Sequence, residues 1–368
     1  GVQAAEGRVL AARPWFAAPP SLALRTARRV SGDQADVNWT ATVGVELQLA
    51  GQRAARREAA SAEREARLKA GEVDARATAL VAWRAYFDVL QSAETVALVE
   101  RLAAGAKRVS DAARAFAERG AAAGAEADLA EALYLRINQR YIAAERDAEL
   151  ARVELADLLG LASTRELSVQ GSLTPLPLAE RAGVAPGSSP KAAALDAESR
   201  AFAAQADAER RARVPNPTVS VFAQRDGFNE RVLGVGLALP LPLPEPLGRL
   251  RAGETAENEA LSRRAHFLAE RARRSARSQI LEALARYEAA KRSVAAYTPE
   301  RLQRAQATLA SLAIAVESGR MGVRDALILQ DPLLEQLLSD IEARHALCVA
   351  SAELLLALNV RLEEGAGR

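Results

Sequence analysis

Sulfur and imidazole are scarce: the 368-residue chain has one cysteine, one methionine and two histidines. Cys348, alone, excludes a disulfide framework within the chain. With His266 and His345 the only imidazoles, one chain cannot assemble a His/Cys metal site, so no metal or cofactor is expected. All three residues are read as ordinary positions on helix faces. Aromatic residues are only 4% of the chain, which leaves little for bulky cores. No run of about 18 apolar residues exists, so no transmembrane helix is expected. The charge balance is close, 49 basic against 47 acidic residues. That excludes the large basic excess of a nucleic-acid binder. Basic clusters such as Arg271 to Arg277 have acidic neighbours and read as solvated helix faces. No P-loop is present. Carboxylate pairs are plentiful, but on long helices they read as solvated or ion-paired groups. No enzyme is expected.

Alanine is what the chain has instead, and alanine makes helix. Helical patterns cover 52–118, 126–159, 191–213, 251–318 and 324–358. In the second, Leu129, Leu133, Ile137, Tyr141, Ala144, Ala148, Ala151, Leu155 and Leu158 recur by threes and fours, the seam of a helix packed on one side. A helix of nearly seventy residues would be roughly 100 Å long, more than one globular domain accommodates.

The pattern is duplicated. ARVELADLLGL (151–161) matches ASAELLLALNV (350–360) at an offset of 199, and the breaks ERGAAAGAE (118–126) and ESGRMGVRD (317–325) coincide at the same offset. Tyr86 and Tyr287 match at a nearly equal offset, and VGV from Val43 matches VGL from Val235 at a slightly shorter one. Each unit therefore reads strand, strand, long helix, tight break, second helix. A break of a few residues between long helices implies an antiparallel hairpin.

The strand bursts alternate. From Asn38 to Leu49, Trp39, Ala41, Val43, Val45, Leu47 and Leu49 share one face, against Asn38, Thr40, Thr42, Gly44, Glu46 and Gln48. The second copy sets Leu233, Val235, Leu237 and Leu239 against Gly234, Gly236 and Ala238. Alternation fits any sheet packed on one side. Ten to twelve residues also suits a tilted bilayer-spanning strand. Four such strands would have open edges, which a bilayer does not tolerate. Either their apolar face packs on helices, or several chains close a common barrel. Trp15, Phe16 and Trp39 fit a bilayer interface or burial against a neighbouring strand.

In this order and duplicated, the motifs resemble the TolC-type outer-membrane efflux channels over nearly the whole chain. RVPNPTVSVF resembles that family's helix end and Pro-Asn-Pro approach to a strand. LALPLPLPEPLGRLRAGETAENEA resembles its strand exit into the long helix, with Pro240, Pro242, Pro244 and Pro246 where strand must become helix. LADLLGL followed by ELSVQGSLTPLP resembles the end of its first hairpin and its equatorial segment. The Leu-Pro-Leu-Pro and LGR pattern leans towards the heavy-metal cation branch. The fold class implied is mainly α with a transmembrane β-barrel portion. Three chains of two strand-strand-helix-helix repeats would make a twelve-stranded β-barrel continued by a periplasmic α-helical barrel. The expected segments are 1–49 (end of a leading helix and first barrel hairpin), 50–160 (first helical hairpin), 161–187 (equatorial), 188–214 (helix), 215–247 (second barrel hairpin), 248–360 (second helical hairpin) and 361–368 (tail). The opening GVQAAEGRVLAAR reads mid-helix and is shorter than the matching helix of the second repeat, so a missing N-terminal portion is expected.

The function implied is a passive exit duct in the outer membrane of a Gram-negative bacterium. Its partners would be two further copies of itself, a periplasmic adaptor, an inner-membrane pump and outer-membrane lipid. Lipid would face Trp39, Val43, Val45, Leu47, Leu233, Val235 and Leu237. In MGVRDALILQD, Arg324 and Asp331 match residues that constrict the family's periplasmic entrance, while Ile328 replaces a further acidic one. Exposed charges at a helix start are the other reading of that pair. Gly120, Gly124, Gly319, Met321 and Gly322 fall at the hairpin tips, where the family meets its adaptor; turn chemistry alone also explains the glycines. The rival function is a soluble elongated coiled-coil scaffold or lipid-surface protein, which would not need duplicated strands.

Overall fold

The computed structural model describes residues 1–16, 18–31, 34–120, 124–178, 189–225, 230–241 and 251–360. Pro242, Pro244, Pro246 and the 361–368 tail, singled out above, lie outside them. Helix α1 (Val2–Ala11) precedes strands β1 (Ser21–Ser31) and β2 (Gln34–Glu46). Helices α2 (Gln52–Glu118), α3 (Gly124–Leu158) and α4 (Pro190–Arg211) follow, with one 3-10 turn at Thr164–Glu166. Strands β3 (Thr218–Arg225) and β4 (Arg231–Ala238) lead to helices α5 (Ala252–Ala295), α6 (Pro299–Glu317) and α7 (Val323–Ala357). Two compact units result: 1–74 with 188–275, and 75–187 with 276–368. Their borders fall inside α2 and α5, so each of these helices contributes residues to both.

The duplication is visible in the helix ends. Helices α3 and α7 are both 35 residues long, displaced by the sequence offset. Gly120 and Gly319 both take positive φ at +70°, as do Gly160 (+69°) and Asn359 (+63°) at the far ends of α3 and α7. At Gly319, its N–H bonds to Val316 O and the Arg320 N–H to Ala315 O. Gly160 with Leu161, and Asn359 with Val360, repeat this pairing. That is a Schellman closure, which satisfies carbonyls the helix leaves open.

One expected helix is two. The 251–318 pattern is interrupted after Ala295, and α6 restarts at Pro299. Proline has no N–H to give and drives the residue before it out of the helical region. Thr298 is accordingly extended, at φ −73° and ψ 147°. The second repeat is two residues shorter between its tyrosine and its tip glycine than the first, and this interruption lies within that interval. Strand β2 is also displaced from its expected span, ending at Glu46. Leu47 N–H makes one further bond to Pro217 O, and Pro217 and Pro215 have no N–H with which to continue the ladder.

The two units pack differently. In the first, the residues buried between α2, α4 and α5 are mostly alanines, among them Ala55, Ala66, Ala197, Ala206, Ala265 and Ala269. Small side chains let helix backbones approach, and polar ties finish the contact: Ser199 and Ser262 each donate to the other's backbone carbonyl at 2.9 Å. The sheet joins these helices through buried Gln52. Its amide donates to Asn216 Oδ1 (2.9 Å) and Val214 O (3.3 Å), and its Oε1 accepts from the Ala50 N–H. Asn216 in turn donates to Glu46 (2.7 Å). In the second unit the core is bulkier: Phe87, Leu90, Leu98, Leu309, Leu334 and Ile341, capped by Leu173 and Leu176 of the segment after α3. Fully buried Ser351 fastens that cap, accepting the Leu176 N–H at 2.9 Å while donating to Cys348 O. Replacing Ser351 with Ala strands a buried N–H, at a cost of about 1–3 kcal/mol. A lowered denaturant midpoint and faster hydrogen exchange at the Leu176 amide are the expected readouts.

Candidate functional site

Two regions carry the residues of interest, the sheet and the helical tips. The sheet has the order β1-β2-β3-β4, all antiparallel. Residues paired across strands share a face, so the register assigns faces directly. One face holds the rows Val45–Val219–Leu237, Leu22–Val43–Val221–Val235 and Leu24–Ala41–Ala223–Leu233. The next row on that face is Thr26–Trp39–Arg225–Arg231, followed by Arg28 opposite Val37. Leu233, Val235 and Leu237 are 81%, 80% and 74% exposed, and Leu22, Leu24, Val43 and Val221 are exposed as well. Trp39 is also exposed; Val45 and Leu47 are partly covered, Leu47 just beyond the strand. Leu22, Leu24, Val219 and Val221 extend the face beyond the residues named from the sequence, although SLAL and TVSV alternate just as plainly.

The other face is mostly small and polar, with Phe222 and Val232 its larger apolar residues. Its rows are Ser21–Gly44–Ser220–Gly236, Ala23–Thr42–Phe222–Gly234 and Arg25–Thr40–Gln224–Val232. Phe222 occupies the space above Gly234, where an added Cβ would come within 2.5 Å of the ring. A Cβ on Gly236 would come within 2.7 Å of Ser220 Oγ. At Gly234 a side chain would have to displace the ring, whereas at Gly236 the Ser220 hydroxyl need only turn away.

Trp15 remains exposed, with the Arg53 guanidinium 3.9 Å from its ring centroid, and Phe16 is exposed too. The Arg53 side chain also donates to Arg13 O, fixing the link between α1 and β1 against the start of α2.

At the tips, Gly120 and Gly319 need the left-handed conformation, whereas Gly124 begins α3 and Gly322 sits at φ −69° as the N-cap of α7. Met321 is partly buried, packed on the core formed by Val109, Ala113, Ala313, Val316, Val323 and Ala326. Arg324 is exposed in the first turn of α7 and makes no ion pair among the described residues. Asp331 is two turns further on and pairs elsewhere. One Arg136 nitrogen donates to both its carboxylate oxygens, at 2.7 and 2.8 Å, tying α3 to α7. Arg108 with Glu317 joins α2 to α6 nearby. Arg136 was not singled out from the sequence. Its partner depends on how α3 and α7 are rotated against each other, which no local pattern records.

Deeper in the same unit, Arg344 bridges Glu94 and Asp340, and His345 meets Asp88 at 2.6 Å. Burial pulls the Arg344 guanidinium down, but its two carboxylate partners outweigh it and hold it above its usual value. Burial pushes the Cys348 thiol up to about 11, which keeps it protonated and unreactive near neutral pH. A cavity of about 380 Å³ between α2, α3, α6 and α7 is mostly apolar, with Arg101, Arg108, Gln306 and Gln330 its polar lining. Those groups include no acid–base pair. Among the described residues, no cluster of His, Cys, Asp and Glu is arranged to hold a metal ion, and no helix is long and apolar enough to cross a membrane.

With this architecture the chain is similar to the outer membrane protein VceC of Vibrio cholerae, at a TM-score of 0.76 and 18% identity over 98% of this chain and 91% of that one. It is similar to the open-state MtrE outer membrane channel of Neisseria gonorrhoeae at 0.74 and 19%, over 100% and 86%. It is similar to CusC, a protein that forms a transmembrane channel, at 0.74 and 15%, over 98% and 87%. This is the TolC-type fold. No protein-family model and no curated protein matches the sequence. The likeness therefore lies in the fold, and the particulars of this chain rest on its own residues. Arg136 and Asp331 are each about half exposed, so their pairing is screened by water. A double-mutant cycle with Arg136→Gln and Asp331→Asn should give a coupling of about 0.2–1 kcal/mol that shrinks as salt is added.

Proposed function

We propose that this protein is the outer-membrane exit duct of a tripartite efflux system, working as a homotrimer. The observation that carries the reading is the sheet: a broad, exposed aliphatic face on four strands whose outer members, β1 and β4, each pair on one side only among the described residues. Water penalises that face, and a bilayer penalises those edges. Three sheets joined edge to edge into a twelve-stranded barrel, with the aliphatic face outward, remove both penalties. From Leu47 to Trp39 is about 27 Å of strand, which a tilt near 40° projects onto about 20 Å, close to the ~25 Å apolar band of such barrels. The small and polar face then lines the lumen. A soluble scaffold would have no use for the outward leucines and valines, and the channel reading is preferred on that ground.

The helices carry the duct into the periplasm, where the tips around Gly120, Gly124, Gly319, Met321 and Gly322 meet an adaptor and, through it, an inner-membrane pump. The duct does no chemistry of its own and takes its energy from that pump. Arg324 and Asp331 constrict the periplasmic entrance. The lean towards metal cations rests on the resemblance of residues 237–249, of which 242–249 lie outside the described residues. The similar channels are alike in TM-score, so the fold adds nothing to that lean.

Two adjacent residues on opposite faces test the barrel. Val43→Arg on the aliphatic face should cost about 2–4 kcal/mol if it lies near the bilayer midplane. Thr42→Arg, facing the lumen, should cost far less. Heat-stable oligomer in the solubilised membrane fraction is the measure, and equal yields from the two variants would sink the orientation. The entrance is tested separately: Arg324→Gln with Asp331→Asn should raise single-channel conductance in planar bilayers at undiminished oligomer yield. Unchanged conductance would make the pair ordinary surface charges.

A further inference from the structure

The apolar cavity of about 380 Å³ lies wholly within the unit that holds α3, α6 and α7. Its volume falls in the range of sites that hold small ligands. Leu98, Val109, Leu133, Leu309, Leu312 and Leu337 are buried and make its floor. Side chains that face a hollow forfeit the contacts that close packing gives a core. The mouth is a slot between α2 and α6, because the exposed lining residues are Arg101, Ala104 and Arg108 on α2 and Gln306 and Ala310 on α6.

Two residues of α2 give this slot its shape and its charge. Gly105 lines the cavity from inside a long helix, where glycine is a poor helix former. No neighbour requires it there, since an added Cβ would meet nothing within 4 Å. The missing side chain is therefore open volume at the lip of the cavity. Arg101 stands about one turn away on the same face. Its Nε donates to the Ala97 carbonyl at 3.0 Å, and its guanidinium makes no ion pair among the described residues. Arg108 is engaged by Glu317. The acids that share a neighbouring hollow with Arg101, Glu94 and Asp340, are both bonded to Arg344. Gln306 adds an amide donor on the other side of the slot.

We propose that this cavity binds a single-chain fatty acid, its alkyl chain on the leucine floor and its carboxylate held by Arg101 and Gln306. A guanidinium offers paired donors that match the two carboxylate oxygens. Bound there, the chain lies between the first helical hairpin and the second and packs against both. The site is built within one chain and does not depend on the membrane reading.

The test uses the full chain, purified and transferred from detergent into an amphipathic polymer, so that no free detergent competes. Octanoate, decanoate and dodecanoate are titrated by calorimetry below their micelle concentrations. Affinity should rise about fourfold per methylene for as long as added carbon still reaches the floor. Gly105→Leu fills the lip and should abolish binding with the thermal midpoint unchanged or higher. That variant carries the same polymer belt, so it also measures uptake by the belt alone. Arg101→Gln should weaken decanoate about fivefold and leave decanol unchanged. Decylammonium should bind the unaltered protein no more tightly than decanol. Decanoate should slow hydrogen exchange over 98–109 and 306–313 in the unaltered protein and not in Gly105→Leu. Equal decanoate binding by the unaltered protein and either variant, or equal affinity for decanoate and decylammonium, would overturn the proposal. If Gly105→Leu fails to assemble, Arg101→Gln and the exchange pattern still decide.

Discussion

An unpaired strand edge is the constraint on which the rest of this protein depends. Each backbone N–H and C=O left without a partner in hydrocarbon costs several kcal/mol, and among the described residues β1 and β4 each offer a row of them. Among the described residues, the helix-proximal part of these edges has neither a bulge in its ladder nor a charge on the aliphatic face, devices by which soluble sheets blunt an edge. On β1 the outward residues nearest the helices are Leu22 and Leu24, and on β4 they are Leu233, Val235 and Leu237. Aliphatic side chains beside open edges amount to half of an interface. On the proposed reading the missing half is another sheet of the same kind, and assembly is then a condition of membrane insertion.

The packing beneath the sheet follows a different economy. Helices α2, α4 and α5 are faced with alanine where they meet, which lets them run close while burying little apolar area per residue. Their specificity comes from polar pairs: Ser199 with Ser262, Arg213 with Thr255, Arg200 with Glu65 and Arg251 with Glu209. The two ion pairs among them are at least partly exposed and contribute modestly to stability. They set register along smooth helices that would otherwise slide. In the unit holding α3, α6 and α7, Phe87 and the leucines around Leu334 do that work by shape, and the charged groups that remain are more buried and more fully bonded, as at Arg344.

Much of this was legible in the sequence because it is local or periodic. The repeat offset joins Gly120 to Gly319 and Gly160 to Asn359, and all four prove to be left-handed helix caps, so the alignment carried backbone conformation as well as composition. Alternation in the strand bursts assigned faces that the ladder register reproduces, because side-chain direction in a strand depends only on parity. Pro299 was equally legible and was overridden by the surrounding helical pattern, since alanine and arginine on both sides outweigh one residue in any windowed reading. Arg136 was beyond reach. Its tie to Asp331 requires α3 and α7 to present particular faces to each other, and that rotation is set by Ala130, Leu133 and Ile137 packing in three dimensions.

The two repeats are alike in their ends and unlike in their interiors, and the differences fall on one side. Helix α2 runs unbroken through the region where α5 and α6 are separated by Thr298 and Pro299. Helix α3 has no proline, whereas α7 carries Pro332 inside it. Without an N–H at Pro332, the Ile328 carbonyl has no partner four residues on, and a helix bends most readily where that bond is missing. Asp331, which Arg136 holds against α3, is the residue immediately before that proline. The ionic tie between the hairpins is therefore placed at the turn where α7 is least able to hold its own line. A half-exposed bridge contributes too little to stiffen a regular helix, but at a turn already lacking one backbone bond it is of the right size to matter. The second hairpin thus has two weak points, one at each end of its tip region, and the first has neither.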